Sequence, residues 1–180
     1  VAPTKAHTGY GYIKSSSKLG NGFVVNQFIE KPSIQNAKRY FESGEYYWNS
    51  GIFLFNSSRY LEELNKFRPD IYQACKNSMQ VTKTDFNFLR IDKESFKECP
   101  NESVDYAVME NTANAVVIPM DVGWSDVGSW SSLWDITNKD KNSNVIQGDV
   151  ITHNSNNSFI RSDDKMIAAI GVDNLVISAT

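Results

Sequence analysis

The sequence predicts an α/β layer followed by a small β-only module. Three observations carry this. Short continuous apolar runs at residues 51–55 and 115–119 read as strands covered on both faces. Capped segments with helical spacing lie between and after them. Beyond residue 143, short β-like segments alternate with Asn, Ser and Asp turns and no helix signal remains. The predicted boundaries are therefore 1–142 for the α/β part and 143–180 for the β-rich module.

Residues 10–14 and 22–30 read as strands, the second bounded by Gly20-Asn-Gly22 and Pro32, and they suit a hairpin or neighbouring strands. Ser33 can cap a helix with Ile34, Ala37 and Phe41 on one face, and Gly44 suits its end. Asn56-Ser57-Ser58 can open a second helix carrying Tyr60, Leu61, Leu64 and Phe67, with another over 70–80. Residues 81–100 are polar and mixed. Ser103 can cap a short helix with Val104, Ala107 and Val108 on one face. Gly123–Trp130 is a turn leading into a helix with Trp130, Leu133 and Trp134.

The 180 residues suffice for one domain, or one domain with a small appended module. Apolar residues at 41% and charged residues at 22% are ordinary globular usage, which rules out disorder throughout. A net charge of −3 gives no basic footprint for nucleic acid. No apolar run reaches the roughly 20 residues that cross a bilayer, and no secretory h-region opens the chain. Two cysteines, Cys75 and Cys99, without a Cys-x-x-Cys motif are expected to be structural, reduced thiols in a cytoplasmic protein. Both chain ends fall at strand-like runs, as in a piece of a longer protein. Half a sheet would leave an open edge and an exposed face, so the piece alone is expected to be poorly soluble.

Three segments carry the candidate chemistry. In Phe28-Ile-Glu-Lys-Pro32, Glu30 and Lys31 are neighbours whose side chains would point to opposite faces of regular β structure. Pro32 ends the ladder and restricts Lys31 to extended or turn geometry, which can release both into one cleft. A carboxylate can accept from two sugar hydroxyls, and an ammonium is a point charge for phosphate. The plain alternative is a solvated ion pair. In Tyr47-Trp-Asn-Ser-Gly51, Asn49 offers donor and acceptor and Trp48 an apolar wall; the alternative is a turn using Asn and Gly for their dihedrals. In Val122-Gly-Trp-Ser-Asp-Val-Gly128, Asp126 stands after a strand and before a helix, where open α/β sheets collect ligands. One carboxylate plus substrate phosphates suits Mg²⁺; the alternative is that Asp126 caps the helix. Gly9-Tyr-Gly11 permits close backbone approach or merely a turn. His7 and His153 lack zinc spacing and read as surface residues. Nucleophile-elbow, Walker A and dinucleotide motifs are absent.

Taken in order, Thr8-Gly-Tyr-Gly-Tyr-Ile13, Phe28–Pro32, Tyr47-Trp-Asn-Ser-Gly-Ile-Phe53, Ser103-Val-Asp-Tyr-Ala-Val-Met-Glu110 and Gly123-Trp-Ser-Asp-Val-Gly-Ser-Trp130 resemble the mannose-1-phosphate guanylyltransferases. These are also called GDP-mannose pyrophosphorylases. The longer bacterial type, some of it fused to a mannose-6-phosphate isomerase domain, is the nearest match. The resemblance implies a Rossmann-like nucleotide-diphospho-sugar transferase fold with a mixed sheet, present here in part, and a β-helix-like module after it. It implies formation of GDP-mannose and pyrophosphate from GTP and mannose-1-phosphate, with Mg²⁺ as cofactor and a homo-oligomer as an allowed assembly. Carried over, Gly11 lets the backbone approach the ligand, Glu30 binds sugar hydroxyls, Lys31 the sugar phosphate and Asn49 the mannose ring. Asp126 is one of two aspartates holding the metal, which makes Lys31 and Asp126 the catalytic pair. The family's Gly-rich nucleotide loop and other metal Asp precede the region matched here. A bifunctional parent with isomerase activity, or a non-catalytic sugar-phosphate-binding module, are the alternatives.

Overall fold

Residues 12–29 turn back on themselves in a hairpin, as their patterning predicts. The computed structural model describes all residues 1–180, with strands β1 (Tyr12–Leu19) and β2 (Gly22–Ile29) paired antiparallel, Tyr12 opposite Ile29. β1 runs on past the expected end at residue 14, through an exposed Ser-rich stretch with shifts in register. β3 (Tyr46–Trp48) pairs with β1, and β6 (Val116–Val117) with β2, giving the order β3-β1-β2-β6. Every pairing in this sheet is antiparallel; the parallel pairs belong to the second unit.

Neighbouring residues on β1 serve opposite faces. Tyr12, wholly buried, packs with Ala37 and Tyr40 of α1 (Ile34–Ser43) and with Trp48. Burying one such aromatic side chain stabilises by about 1.5–3 kcal/mol. Ile13 packs the other way, with Phe28 and Val117. α1 begins as expected: the Ser33 hydroxyl accepts from the Asn36 amide, and Gly44 ends the helix with φ 68°.

Asn56 caps α2 (Ser57–Phe67) by accepting from the Arg59 amide at 3.1 Å, and α3 (Pro69–Ser78) starts with proline at its first turn. Between them Leu64 and Ile71 form a second cluster with Ala107 and Val108. Residues 81–100 hold a small hairpin, β4 (Lys83–Asp85) with β5 (Phe88–Arg90), and the short helix α4 (Lys93–Lys97).

Three expectations are corrected. Residues 51–55 are not a covered strand: they form an irregular segment in which Ile52 is 69% and Leu54 fully exposed. Only two residues of the 115–119 run pair, and Ile118 is 68% exposed. The physical reason is shared. A continuous apolar run becomes a strand only when other strands supply its hydrogen bonds; residues 51–55 pair with no strand, and β6 pairs with β2 alone. They flank an open cavity of about 550 Å³ walled by Ile13, Phe28, Phe53, Phe55 and Val117. Third, the segment after Ser103 is a π-helical turn, Asp105–Met109, with no side-chain cap. The Glu110 amide reaches back five residues to the Asp105 carbonyl at 2.9 Å. Ala107 and Val108 are still buried as the spacing predicts.

The chain divides into two compact units, Val1–Val122 and Gly123–Thr180. The composition change at residue 143 thus falls inside the second unit, because α5 (Trp130–Ile136) packs on the β segments. Trp130 lies against Phe159, 5.3 Å between ring centres, and the Trp134 indole N–H donates to the Ser143 carbonyl at 2.9 Å. The expected β segments are all present. β7 (Val145–Gln147), β9 (Phe159–Ser162) and β11 (Val176–Ala179) form one parallel ladder, and β8 (Val150–His153) and β10 (Ile167–Ile170) another. A buried polar spine joins the turns: Asn144 donates to the Ser155 carbonyl and accepts from the Ser158 amide, while the Ser155 hydroxyl donates to the Ala169 carbonyl. At Gly148, φ is 86° and an added Cβ would lie 2.0 Å from the Ser162 carbonyl oxygen, so only glycine fits.

Candidate functional site

Where β2 ends, the ladder opens at Glu30 and the chain turns. Lys31 takes a left-handed backbone with φ 46°, uncommon for a non-glycine residue, and Pro32 is buried behind it. This turn, rather than extended backbone, brings two sequence neighbours together on one side. The Lys31 ammonium lies 3.1 Å from one Glu30 carboxylate oxygen, with Lys31 exposed and the Glu30 side chain only 10% exposed. Hydrogen bonding to Glu30, then its charge, holds the Lys31 ammonium above its ordinary pKa, with lesser contributions from Tyr106 and Asp105. Lys31 is therefore a fixed positive charge at neutral pH.

The other Glu30 oxygen, Oε2, is buried without a hydrogen-bond partner. A buried carboxylate oxygen in that condition is an acceptor awaiting a donor. Its position depends on Gly11. A Cβ at residue 11 would meet Oε2 at 2.4 Å and the Asn49 Cβ at 3.1 Å. The missing side chain is thus the space that the carboxylate occupies.

Asn49 follows β3 and is tied to the same place through the Gly11 carbonyl, which accepts from its amide at 2.8 Å. Its side chain is already oriented. Nδ2 donates to Asp105 Oδ1 at 3.0 Å, and Oδ1 accepts from the Gly51 amide at 3.0 Å. One N–H and one lone pair remain for a ligand. Trp48 is mostly core, packed with Tyr12, Ala37 and Tyr40. His7 is half-buried against Tyr10, whose ring stacks on it at 4.0 Å, while His153 is exposed as expected.

Two site residues escaped the sequence reading. Asp105 fixes the Asn49 amide, and Glu110 accepts from the Glu30 backbone amide at 2.8 Å. They bracket the π-helical turn. The only signal in the sequence is that both belong to the Ser103–Glu110 motif, whose spacing speaks for an apolar face and whose residues carry part of the family resemblance without a role for either carboxylate.

Gly11, Glu30, Lys31 and Asn49 therefore share one locus. The apolar cavity touches it only at Asn49. Asp126 is carried by the second unit, in an exposed irregular segment. It does not cap α5; the Ser129 hydroxyl does so by accepting from the Ser132 amide. No group of three or more His, Cys, Asp or Glu side chains gathers into a metal cage. One free carboxylate is nonetheless a donor that a hard divalent cation takes together with phosphate oxygens.

Comparison with known proteins bears on the family and the fold. The family described as nucleotidyl transferase matches residues 1–143. The chain is 56% identical to a mannose-1-phosphate guanylyltransferase of Salmonella typhimurium, covering all of this chain and 38% of that protein. It is 51% identical to one of Escherichia coli, covering all of this chain and 39% of that protein. The chain thus spans about two fifths of the length of the curated relatives it matches. Among solved structures, one described as a mannose-1-phosphate geranyltransferase from Thermus thermophilus superposes with a TM-score of 0.82 at 27% identity, over 99% of this chain and 51% of that one. A mannose-6-phosphate isomerase from Helicobacter pylori gives 0.62 at 32% identity, over 69% and 49%. The chain belongs to the nucleotidyl transferase family, with its α/β fold.

Proposed function

We propose that this chain is the sugar-phosphate-binding part of a mannose-1-phosphate guanylyltransferase, which forms GDP-mannose and pyrophosphate from GTP and mannose-1-phosphate. The observation that carries the reading is the buried, unpartnered Glu30 oxygen beside the Lys31 ammonium, resting on Gly11 and next to Asn49. A carboxylate acceptor, a cation and an oriented amide together match a phosphorylated sugar: hydroxyls donate to Glu30 and Asn49, and the phosphate lies against Lys31.

The reaction requires little covalent chemistry from the protein. A sugar-phosphate oxygen attacks the α-phosphorus of the nucleotide and pyrophosphate leaves in line. The attacking oxygen is already anionic, so no general base is needed; alignment and relief of anion repulsion are. Lys31 supplies a fixed positive charge, and Glu30 and Asn49 set the sugar's orientation. Asp126 is the residue of this chain assigned to Mg²⁺, which when bound neutralises phosphate charge and templates the attack.

The finer architecture follows the same line. Parallel registers such as Val145, Phe159 and Val176 side by side support a β-helix-like module. The family match ending at 143 supports a functional boundary near 142. We place the reaction in the cytoplasm, with a homo-oligomer as an allowed assembly and no nucleic-acid or membrane partner. No helix of the chain is long and apolar enough to cross a membrane. The likeness to an isomerase structure is compatible with a bifunctional parent, although no residue here is assigned to isomerisation.

The test is a magnesium-dependent pyrophosphate-release assay on the full-length protein. GTP with mannose-1-phosphate should outperform other nucleoside triphosphates and glucose-1-phosphate. Absence of release with GTP and any hexose-1-phosphate would overturn the reading in favour of a non-catalytic binding module.

A further inference from the structure

Two thiols outside this site meet one another. Cys75 lies on α3 and Cys99 just past α4, and although 24 residues apart in sequence their sulfur atoms stand 4.0 Å apart. Both are half-buried at the rim of the cluster formed by Leu64, Ile71, Ala107 and Val108. A merely space-filling pair has no need to place sulfur against sulfur. The separation is a van der Waals contact, about 2 Å longer than a disulfide. Cys75 is held on a helix. Cys99 stands past the end of α4, outside any helix, and leads into the irregular residues 100–103. Partial exposure leaves both within reach of a small oxidant.

We infer that Cys75 and Cys99 form a reversible dithiol–disulfide couple, closed by an oxidant of the peroxide class. Neither residue takes part in the proposed transfer reaction, so the inference stands apart from it. The balance is simple. The Cys99 thiolate attacks one peroxide oxygen, giving a sulfenic acid and hydroxide. The Cys75 sulfur then attacks the sulfenic sulfur and releases water. Two thiols are oxidised by two electrons, and one hydrogen peroxide becomes two waters. The order of attack follows from the surroundings. Burial, then contact with Cys99, pushes the Cys75 thiol up. Arg68 pairs with Asp70 and with Glu102, the latter on the segment that follows Cys99. The closed bond would clamp that segment to α3 immediately ahead of the π-helical turn carrying Asp105.

The experiment treats the native full-length protein with hydrogen peroxide, blocks remaining thiols with iodoacetamide, and maps peptides by mass. We expect one intrachain link joining Cys75 to Cys99, a loss of two hydrogen atoms, full reversal by dithiothreitol, and faster closure in buffer than in urea. Cys75→Ser and Cys99→Ser should each abolish the link while leaving pyrophosphate release at the unoxidised rate. Both thiols remaining alkylatable, a link between two copies, oxidation stopping at sulfinic acid on one cysteine, or closure only in urea would each overturn the inference. The wild-type mass map decides the matter even where a serine variant folds poorly.

Discussion

Substituting Gly11 by alanine isolates the feature on which sugar binding is argued to depend. The new Cβ would lie 2.4 Å from Glu30 Oε2, 3.1 Å from the Asn49 Cβ and 3.4 Å from its Nδ2. Non-bonded atoms of this kind rest near about 3.5 Å, so the carboxylate oxygen must retreat by about 1 Å. That oxygen is the free end of a flexible side chain and gives way easily. The Asn49 Cβ is not, yet needs to yield only a few tenths of an ångström. The stability loss should therefore stay near ~1 kcal/mol, at the low end for overpacking. Catalysis should suffer more, because a displacement of about 1 Å in a positioning group can cost roughly 10²-fold. In the full-length protein, kcat/KM for mannose-1-phosphate should fall by about that factor, while KM for GTP and the melting temperature change little. Wild-type efficiency toward the sugar phosphate in a folded Gly11→Ala protein would refute the reasoning, because it would mean that Glu30 need not rest where it does.

Three further outcomes follow from the geometry. Asp105→Ala leaves an Asn49 N–H without its acceptor and should raise KM for the sugar phosphate, with a stability loss of about 1–2 kcal/mol, whereas Asp105→Asn, which keeps an acceptor, should recover most of both; steady-state kinetics and melting curves decide. Gly148→Ala forces a Cβ into the Ser162 carbonyl at a left-handed backbone and should destabilise the second unit by ~3 kcal/mol, measured by denaturant unfolding. The Arg68 guanidinium pulls the Asp70 carboxyl from 3.8 to about 2. Because its folded pKa is depressed, its stabilising contribution is present above pH 3.8 and is lost as pH falls towards 2. An NMR titration should find that midpoint, and Arg68→Ala should return it towards the ordinary value.

Local signals in the sequence translated well into local structure. Ser33 and Asn56 cap the helices they were expected to cap, Gly44 ends the first, and the Asn- and Ser-rich tail forms its short strands in place. Where the chain depends on partners distant in sequence, the reading failed. Residues 51–55 have strand composition, but a strand is defined by its neighbours, and here those residues border a cavity instead. The π-helical turn has no periodicity signature distinguishing it from an α-turn. At the candidate site, the departure of Glu30 and Lys31 from the ladder was legible because Pro32 marks a break beside two charged residues; their proposed roles came from the family resemblance. Asp105 and Glu110 were not, since their partners lie 56 and 80 residues away and their roles exist only once the chain has folded.

The central claim is the proposal that Glu30, Lys31 and Asn49 grip a phosphorylated sugar. It is tested most directly by calorimetric titration of the full-length protein with mannose-1-phosphate. The account predicts saturable binding in the wild type that Glu30→Gln weakens by about tenfold or more, with the melting temperature little changed. Wild-type affinity for the sugar phosphate in a folded Glu30→Gln protein would contradict it.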